Sequence, residues 1–267
     1  MSTGNGGPDS PPARLSGAVL FARYAYPPNE LGYCGPPDHR ALLEYGSSGA
    51  VDAGLAQLAR GFEGAWPYLT LIAEGNGIGN PLDHRVVEAY WVGNALLDRL
   101  DTNLFGNSMH DRFQPRTGLK WTQLSEAVPA GAVPHHSFHV FGVYPWIGLL
   151  RSGRSGTPLF VLDRCRIRWG RIEQIQGNEV VVRSRPLTWE HGQLGLGDPR
   201  LETATCAADG YAFVLDLQPG DWVSLHWNWV CDRLSQRSLT ALRHYTARQF
   251  AITNHRVEHS GPAVALA

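Results

Sequence analysis

The stretch CRIRWGRIEQIQGNEVVV, residues 165–182, decides the fold of the carboxy-terminal third of the chain. Apolar and polar residues alternate on both sides of Gly177 and Asn178, in a pattern that extends from Leu159 to Trp189. Such alternation is typical of β-strands with one buried face, and a Gly-Asn pair between two runs favours a tight turn. The stretch therefore predicts two antiparallel strands, with Cys165 at the start of the first.

Further short strands follow this hairpin. YAFVLDL (residues 211–217) and DWVSLHWNW (residues 221–229) are predicted strands, joined by a turn at Pro219-Gly220, and a helical pattern runs from Arg233 to Phe250. Short strands at turn spacing followed by one helix indicate a small OB-like β-barrel with a carboxy-terminal helix.

The amino-terminal half is predicted to be mainly helical, which makes the chain an α+β protein. Asp38 and Asp83 each precede an apolar run with spacings of three and four and are candidate N-caps. Two helices are expected after Asp38, one long helix over 83–105 and a shorter one near Lys120–Ala127. The aromatic and β-branched run over 135–150 is predicted to be extended and buried.

These patterns divide the chain into five parts. We expect a disordered leader over 1–14, a helical domain over 15–150, a linker over 151–158 (RSGRSGTP), a barrel with its helix over 159–252, and a flexible tail over 253–267.

Composition narrows the classes of partner. Lys plus Arg number 23 and Asp plus Glu 24, giving a formal net charge of -1, so no global field favours nucleic acid or an anionic membrane. No apolar run reaches the length that a membrane helix needs, which predicts a cytoplasmic protein whose four cysteines are free thiols. The Gly-rich run over 75–80 lacks the Lys-Ser/Thr pair of a phosphate-binding loop.

Two segments resemble the HypC/HybG/HupF family of [NiFe]-hydrogenase maturation chaperones. The hairpin that opens with Cys165 is similar to the family's first hairpin, and the segment from Gly220 to His226 is similar to its later Gly-Asp-x-Val-x-x-His strand, which also runs into a helix. The resemblance covers about residues 160–250. Two departures are Trp169, where the family has proline, and the internal position of Cys165, which excludes the terminal amine as a ligand.

The resemblance implies a carrier of iron, as the Fe(CN)2CO group, rather than an enzyme. Cys165 would be the iron ligand with His226 nearby, and the partners would be a HypD-like scaffold protein and the hydrogenase large-subunit precursor. A thiolate is a suitable soft ligand for such iron. Four arginines around Cys165 are expected to lower the pKa of its thiol, namely Arg164, Arg166, Arg168 and Arg171.

The run PHHSFH, residues 134–139, is a second candidate metal site. In an extended segment His135 and His139 share one face, while His136 points the other way. Cys34, in a rigid Gly-Pro-Pro loop, is the first candidate for a further ligand, and the others are His39, His84, Glu74, Glu88 and His110. This site predicts an alternative function, a metal-dependent iron enzyme that supplies a diatomic ligand of the hydrogenase iron.

Plain packing is the competing interpretation of all these residues. A cysteine at a strand start is commonly a small buried apolar residue, and a histidine between Leu225 and Trp227 commonly packs with a backbone partner. The three close histidines of residues 135–139 could likewise be half-buried and hydrogen-bonded in an aromatic-rich domain.

Overall fold

The computed structural model of the protein describes residues 15–117, 127–128, 130–154 and 156–259. The predicted leader over 1–14, the predicted helix near Lys120–Ala127 apart from its last residue, and the end of the predicted tail lie outside these ranges. In the described part, the architecture is α+β: helices, then a mixed sheet, then one long helix. None of the described helices is long and apolar enough to cross a membrane.

Two helices begin at the N-caps that the sequence predicts. Asp38 accepts a hydrogen bond from the Ala41 amide at 3.2 Å, and Asp83 accepts one from the Arg85 amide at 2.9 Å, so both predicted N-caps are confirmed. The helices are Gly17–Glu30, His39–Ser48, Ala53–Arg60, Trp66–Gly75, His84–Trp91, Thr102–Thr117, His136–Phe138, Trp146–Arg151, Gly156–Cys165 and Gln236–His259, and a π-helical turn spans His139–Val143.

The predicted long helix over 83–105 is wrong. Its first part ends at Trp91, and Gly93 follows with a φ of +97°, a left-handed conformation that few residues other than glycine adopt. A Cβ atom on Gly93 would lie 2.1 Å from a ring carbon of Tyr245, so the carboxy-terminal helix also requires glycine here. The chain turns at this point, and a second helix begins at Thr102.

The strands confirm the predicted hairpin around Gly177-Asn178. Strand β1 pairs with β2 in antiparallel register, with Ile175 opposite Val180. The strands are β1 Arg168–Gln176, β2 Glu179–Ser184, β3 Leu187–Glu190, β4 Gln193–Leu196, β5 Arg200–Thr205, β6 Ala207–Ala208, β7 Tyr211–Ala212, β8 Trp222–His226 and β9 Trp229–Arg233. The predicted strand over 211–217 is therefore reduced to two residues.

The main sheet has the strand order β1-β2-β5-β9-β8, and β8 also pairs with β1. All of these pairings are antiparallel except β5 with β9, which is one parallel pair between Thr205 and Trp229. The sheet is thus mixed and strongly curled. Strands β3 and β4 form a separate hairpin, as do β6 and β7.

One hydrophobic cluster crosses the predicted domain boundary. It includes Phe21 and Tyr24 of the first helix, Trp229 and Cys231 of β9, and Leu242 of the last helix, each at most 5% exposed. The first helix, Gly17–Glu30, was not predicted, yet it packs against both β8 and β9. Whether residues 151–158 divide two domains stays a prediction.

Two segments near the boundary are helical where strands were expected. The run over 135–150 forms the helix at His136, the π-helical turn and the helix Trp146–Arg151. Residues 159–165 complete the helix Gly156–Cys165, so Cys165 ends a helix and β1 begins three residues later. At the other end, the last helix continues to His259, so the part of the predicted flexible tail over 253–259 is helical.

Candidate metal centre

A cavity of about 280 Å³ lies where the amino-terminal helices meet the helix Gly156–Cys165 and the end of β8. Aromatic and small apolar side chains form most of its wall, and the polar groups on it belong to His, Cys, Tyr and Trp. The lining residues are Pro28, Tyr33, Cys34, Phe62, Gly64, Ala65, Tyr90, Trp91, His136, His139, Tyr144, Pro145, Trp146, Val161, Cys165, His226 and Trp227.

Three of these residues form a compact set of metal-ligating side chains. A ring nitrogen of His136, the Sγ atom of Cys165 and a ring nitrogen of His226 all lie within 4.8 Å of one another. They come from three different elements: the start of the helix His136–Phe138, the end of the helix Gly156–Cys165, and the end of β8. The fold therefore brings together two of the residues implied by the family resemblance, Cys165 and His226, and adds His136.

His226 is oriented by the first helix. Its Nδ1–H donates to the Tyr24 carbonyl at 2.6 Å, and the residue is 1% exposed. Its Nε2 atom has no hydrogen-bond partner among the described residues. A backbone carbonyl on one ring nitrogen fixes the tautomer and leaves the lone pair of the other nitrogen for a ligand, as in many histidine-metal sites.

His136 is held on both ring nitrogens. Nε2 lies 2.9 Å from the Cys165 carbonyl, which can only accept, and Nδ1 lies 3.3 Å from the Tyr90 hydroxyl. The Nε2–H tautomer therefore fits best, with the Nδ1 lone pair facing the hydroxyl. The Tyr90 contact is long for such a bond. The Trp91 ring packs against the imidazole, with 4.6 Å between ring centres.

Burial keeps both imidazoles neutral at pH 7. It lowers the pKa of His136 to about 4, partly opposed by the hydrogen bond to the Cys165 carbonyl. Burial, followed by the nearby His136, lowers the pKa of His226 well below its usual value. A neutral imidazole is the form that binds metal, so these two histidines need not lose a proton to do so.

The expected low thiol pKa of Cys165 is wrong. Burial raises the pKa of this thiol above its usual value, and Cys34 across the cavity raises it further. A bound metal ion would replace the thiol proton, because coordination deprotonates a cysteine. Without a metal, Cys165 is a neutral thiol at pH 7.

Two carboxylates offset part of the positive charge of the four arginines near Cys165. Arg166 pairs with Asp163 at 2.8 Å and also donates to the Arg185 carbonyl. Arg164 pairs with Glu202 at 2.8 Å, and Arg168 donates to the same carboxylate. The fourth arginine, Arg171, lies at the surface and donates to the Gly220 carbonyl.

The predicted face of His135 and His139 does not form, since the segment is helical. His139 lines the cavity, as does Cys34, whose thiol pKa burial raises to about 12. His135 lies elsewhere: its ring stacks on Tyr245 at 5.6 Å, and burial, then the nearby His136, lowers its pKa to about 3. The other suggested donors with described side chains do not line the cavity, namely His39, His84, Glu74 and Glu88. The His110 side chain lies outside the described residues.

Comparison with known proteins places the chain in a family but gives it no activity. No curated protein and no solved structure matches the sequence. A family match covers residues 13–260, and thus the helices, the sheet and all three residues of the candidate metal centre. The chain belongs to this family, which is described as a family of unknown function (DUF6390).

Proposed function

We propose that the protein binds a transition-metal ion through His136, Cys165 and His226, and that it does so as a cytoplasmic accessory factor in [NiFe]-hydrogenase maturation. The observation that supports metal binding is the placement of the three ligand atoms within 4.8 Å of one another on the wall of one cavity. Imidazole and thiolate ligands together favour zinc, copper or iron over calcium or magnesium.

Iron that carries diatomic ligands suits this cavity in number and in charge. Three protein ligands leave the remaining positions of an octahedral iron for one carbon monoxide and two cyanides. With iron(II) the Fe(CN)2CO group is formally uncharged, so the Cys165 thiolate would give the bound centre its one negative charge. The soft Cys165 thiolate suits low-spin iron. The cavity, with a volume of about 280 Å³, has room for the diatomic ligands.

The hydrogenase part of the proposal rests on the resemblance of residues 160–250 to the HypC family. The strand order β1-β2-β5-β9-β8, with β8 back on β1, supports an OB-like barrel in that region. Cys165 and His226 lie together, as the resemblance implies, although Cys165 ends a helix. A HypD-like scaffold protein and the large-subunit precursor are the proposed partners.

Infrared spectroscopy tests this proposal. The protein is purified anaerobically after co-expression with hydrogenase maturation proteins, and bands of iron-bound carbon monoxide and cyanide are expected. Cys165→Ala should remove the bands together with the iron, whereas Cys206→Ala, at a half-buried cysteine away from the cavity, should keep both. Unchanged bands in Cys165→Ala would contradict the proposal.

A metal-dependent iron enzyme is the second candidate, favoured by two further residues of the cavity wall. Cys34 and His139 line the same space as the metal ligands but are not among them. Such residues could act on a molecule that is converted to a diatomic ligand at the iron. Cys34→Ala and His139→Ala should then retain iron but lose the carbon monoxide band. If both variants keep the band, the enzyme alternative is wrong and the carrier alternative stands.

A further inference from the structure

A second pair of metal-ligating side chains lies on the last helix, outside the cavity. His255 and His259 are both exposed and stand four residues apart in the helix Gln236–His259, so their side chains leave the same face of the helix. Their ring centres are 4.1 Å apart, and the ring planes are 26° from parallel. Neither residue lines the cavity. Two histidines at this spacing on one helix face are a known zinc-binding arrangement.

His259 makes the hydrogen bond that is typical of a histidine ligand. Its Nδ1 lies 2.7 Å from the His255 carbonyl oxygen, which can only accept, so Nδ1 carries the proton and Nε2 keeps its lone pair. Metal-bound histidines nearly always donate their second ring nitrogen in this way, which fixes the orientation of the ring. The His255 ring has no hydrogen bond to another residue in the described part of the chain, so it also has a nitrogen available.

A purely structural role explains only one of the two rings. Basic side chains in the last turn of a helix are favoured by the helix dipole and can bond its carbonyl groups, as His259 does. His255 makes no such contact, although its ring is exposed and stacks on that of His259. The same dipole gives this end of the helix a partial negative charge, which favours a bound cation.

We propose that His255 and His259 form a second metal site, which binds a divalent transition-metal ion such as zinc at the protein surface. Imidazole ligands favour zinc, copper and nickel over calcium and magnesium. Water completes the coordination, because the carboxylate of the adjacent Glu258 accepts a hydrogen bond from Gln193 at 2.6 Å. The site shares no residue with the cavity, so this proposal does not depend on the proposed function.

The number of zinc ions bound per chain tests the site. Equilibrium dialysis of the full chain at micromolar free zinc is expected to give one more zinc ion for the wild type than for His255→Ala or His259→Ala. His244→Ala, at an exposed histidine of the same helix, is the matched control and should keep the wild-type number. Circular dichroism checks that each variant folds. The same number in the wild type and in both variants of the pair would overturn the proposal.

The spacing of the two histidines provides a sharper test. In the His259→Ala background, Glu258→His places a histidine three residues after His255 and on the same face, whereas Val257→His places one two residues after it and on a different face. The variant with Glu258→His is expected to regain the lost zinc ion, and the variant with Val257→His is not. Any other result would overturn the assignment of the site to a pair on one helix face.

Cobalt(II) separates this site from the proposed metal centre in the cavity. Cobalt bound to Cys165 gives a thiolate-to-metal absorption band, which two imidazoles cannot give. The band is expected to remain in His255→Ala and to disappear in Cys165→Ala, while the zinc ion of the surface pair remains in Cys165→Ala. If the band is missing from the wild type but the zinc difference persists, the cavity site alone is contradicted. If Cys165→Ala abolishes the zinc difference, the pair does not bind metal by itself and this proposal is wrong.

Discussion

Residues 163–168 belong to two neighbouring regions, a cluster of buried arginines and the wall of the cavity. The two regions differ in how their buried polar groups are paired. On one side, Arg166 and Arg168 are each 1% exposed and pair with the carboxylates of Asp163 and Glu202, the second of which also pairs with Arg164. On the other side, Cys165 lies against His136 and His226 in a cavity whose wall has no charge among the described residues. Each of these two arginines faces an opposite charge, although Arg168 Nε has no hydrogen-bond partner among the described residues, whereas the cavity has no carboxylate on its wall and the ring nitrogen His226 Nε2 is unpaired.

From this difference we infer that the arginine cluster is structural, and it supports the proposal that the cavity binds a metal. A buried ion pair needs no outside partner once its charges are matched and hydrogen-bonded. An unpaired buried atom such as His226 Nε2 is destabilising unless a bound metal supplies its partner. We therefore expect substitutions in the arginine cluster to change stability, and substitutions in the cavity to change binding.

The largest expected effect is the loss of Arg168. Its guanidinium donates to Glu202 and to the Trp227 carbonyl, so Arg168→Met leaves a largely buried carboxylate with less of its positive partner. Although burial would raise the pKa of Glu202, Arg168, Ser184 and Arg164 together hold that pKa below its usual value. The free energy of unfolding, measured in guanidinium chloride, should fall by about 3–5 kcal/mol. A loss below about 1 kcal/mol would contradict a structural role for the pair.

The next largest effect is a pH dependence of the free energy of unfolding, which comes from the buried His136 of the cavity. Burial lowers the pKa of His136 to about 4, whereas an unfolded histidine titrates near 6.5. Between these values the unfolded chain binds a proton that the folded chain does not. The contribution of His136 is therefore fully present above about pH 6.5 and is lost as the pH falls toward 4, with a slope of up to about 1.4 kcal/mol per pH unit.

Urea unfolding of metal-free protein from pH 4.5 to 7 measures this slope. His136→Phe should reduce it by about one proton, whatever its effect on stability at pH 7. His244→Phe, at an exposed histidine of the last helix, is the matched control and should keep the wild-type slope. The same slope in His136→Phe and in wild type would show that His136 takes up a proton in the folded state.

Local signals predicted one half of the candidate site. The alternation around Gly177-Asn178 predicted the hairpin, and the predicted strand over 221–229 contains His226, although this strand ends at His226 and β9 begins at Trp229. Cys165 was expected at the start of β1. It instead ends a helix, and β1 begins three residues later, at Arg168. Because β1 pairs with β8, a residue just before β1 and one at the end of β8 lie close together.

The other half depends on contacts that are distant in sequence. The run over 135–150 is aromatic and β-branched, as in strands, but buried packing of Phe138 and Phe141 stabilises helical turns instead. Because the segment is helical, the histidine in the candidate metal set is His136, and not the expected pair His135 and His139. Tyr24 orients His226 through a backbone carbonyl, which no side-chain pattern reveals.

Metal affinity should depend on pH through one group alone. Both histidines of the set are neutral at pH 6–8, whereas the Cys165 thiol is protonated because burial raises its pKa. Binding then releases one proton, so the affinity for cobalt(II) should rise about tenfold per pH unit over this range. In Cys165→Ala the dependence should nearly disappear. A rise of about a hundredfold per unit would show that a histidine also loses a proton.

The smallest expected effect is at an exposed ion pair that matches the buried one in chemistry. Arg183 and Glu173 join β2 to β1 at 2.8 Å, but their side chains are 50% and 38% exposed. Water and salt screen such a pair, so Arg183→Met should change the free energy of unfolding by less than about 1 kcal/mol, and by less still in 1 M salt. Denaturation of Arg183→Met and Arg168→Met under the same conditions compares an exposed and a buried arginine of one sheet. If the two losses are equal, burial does not set the strength of these pairs, and the contrast between the arginine cluster and the cavity loses its basis.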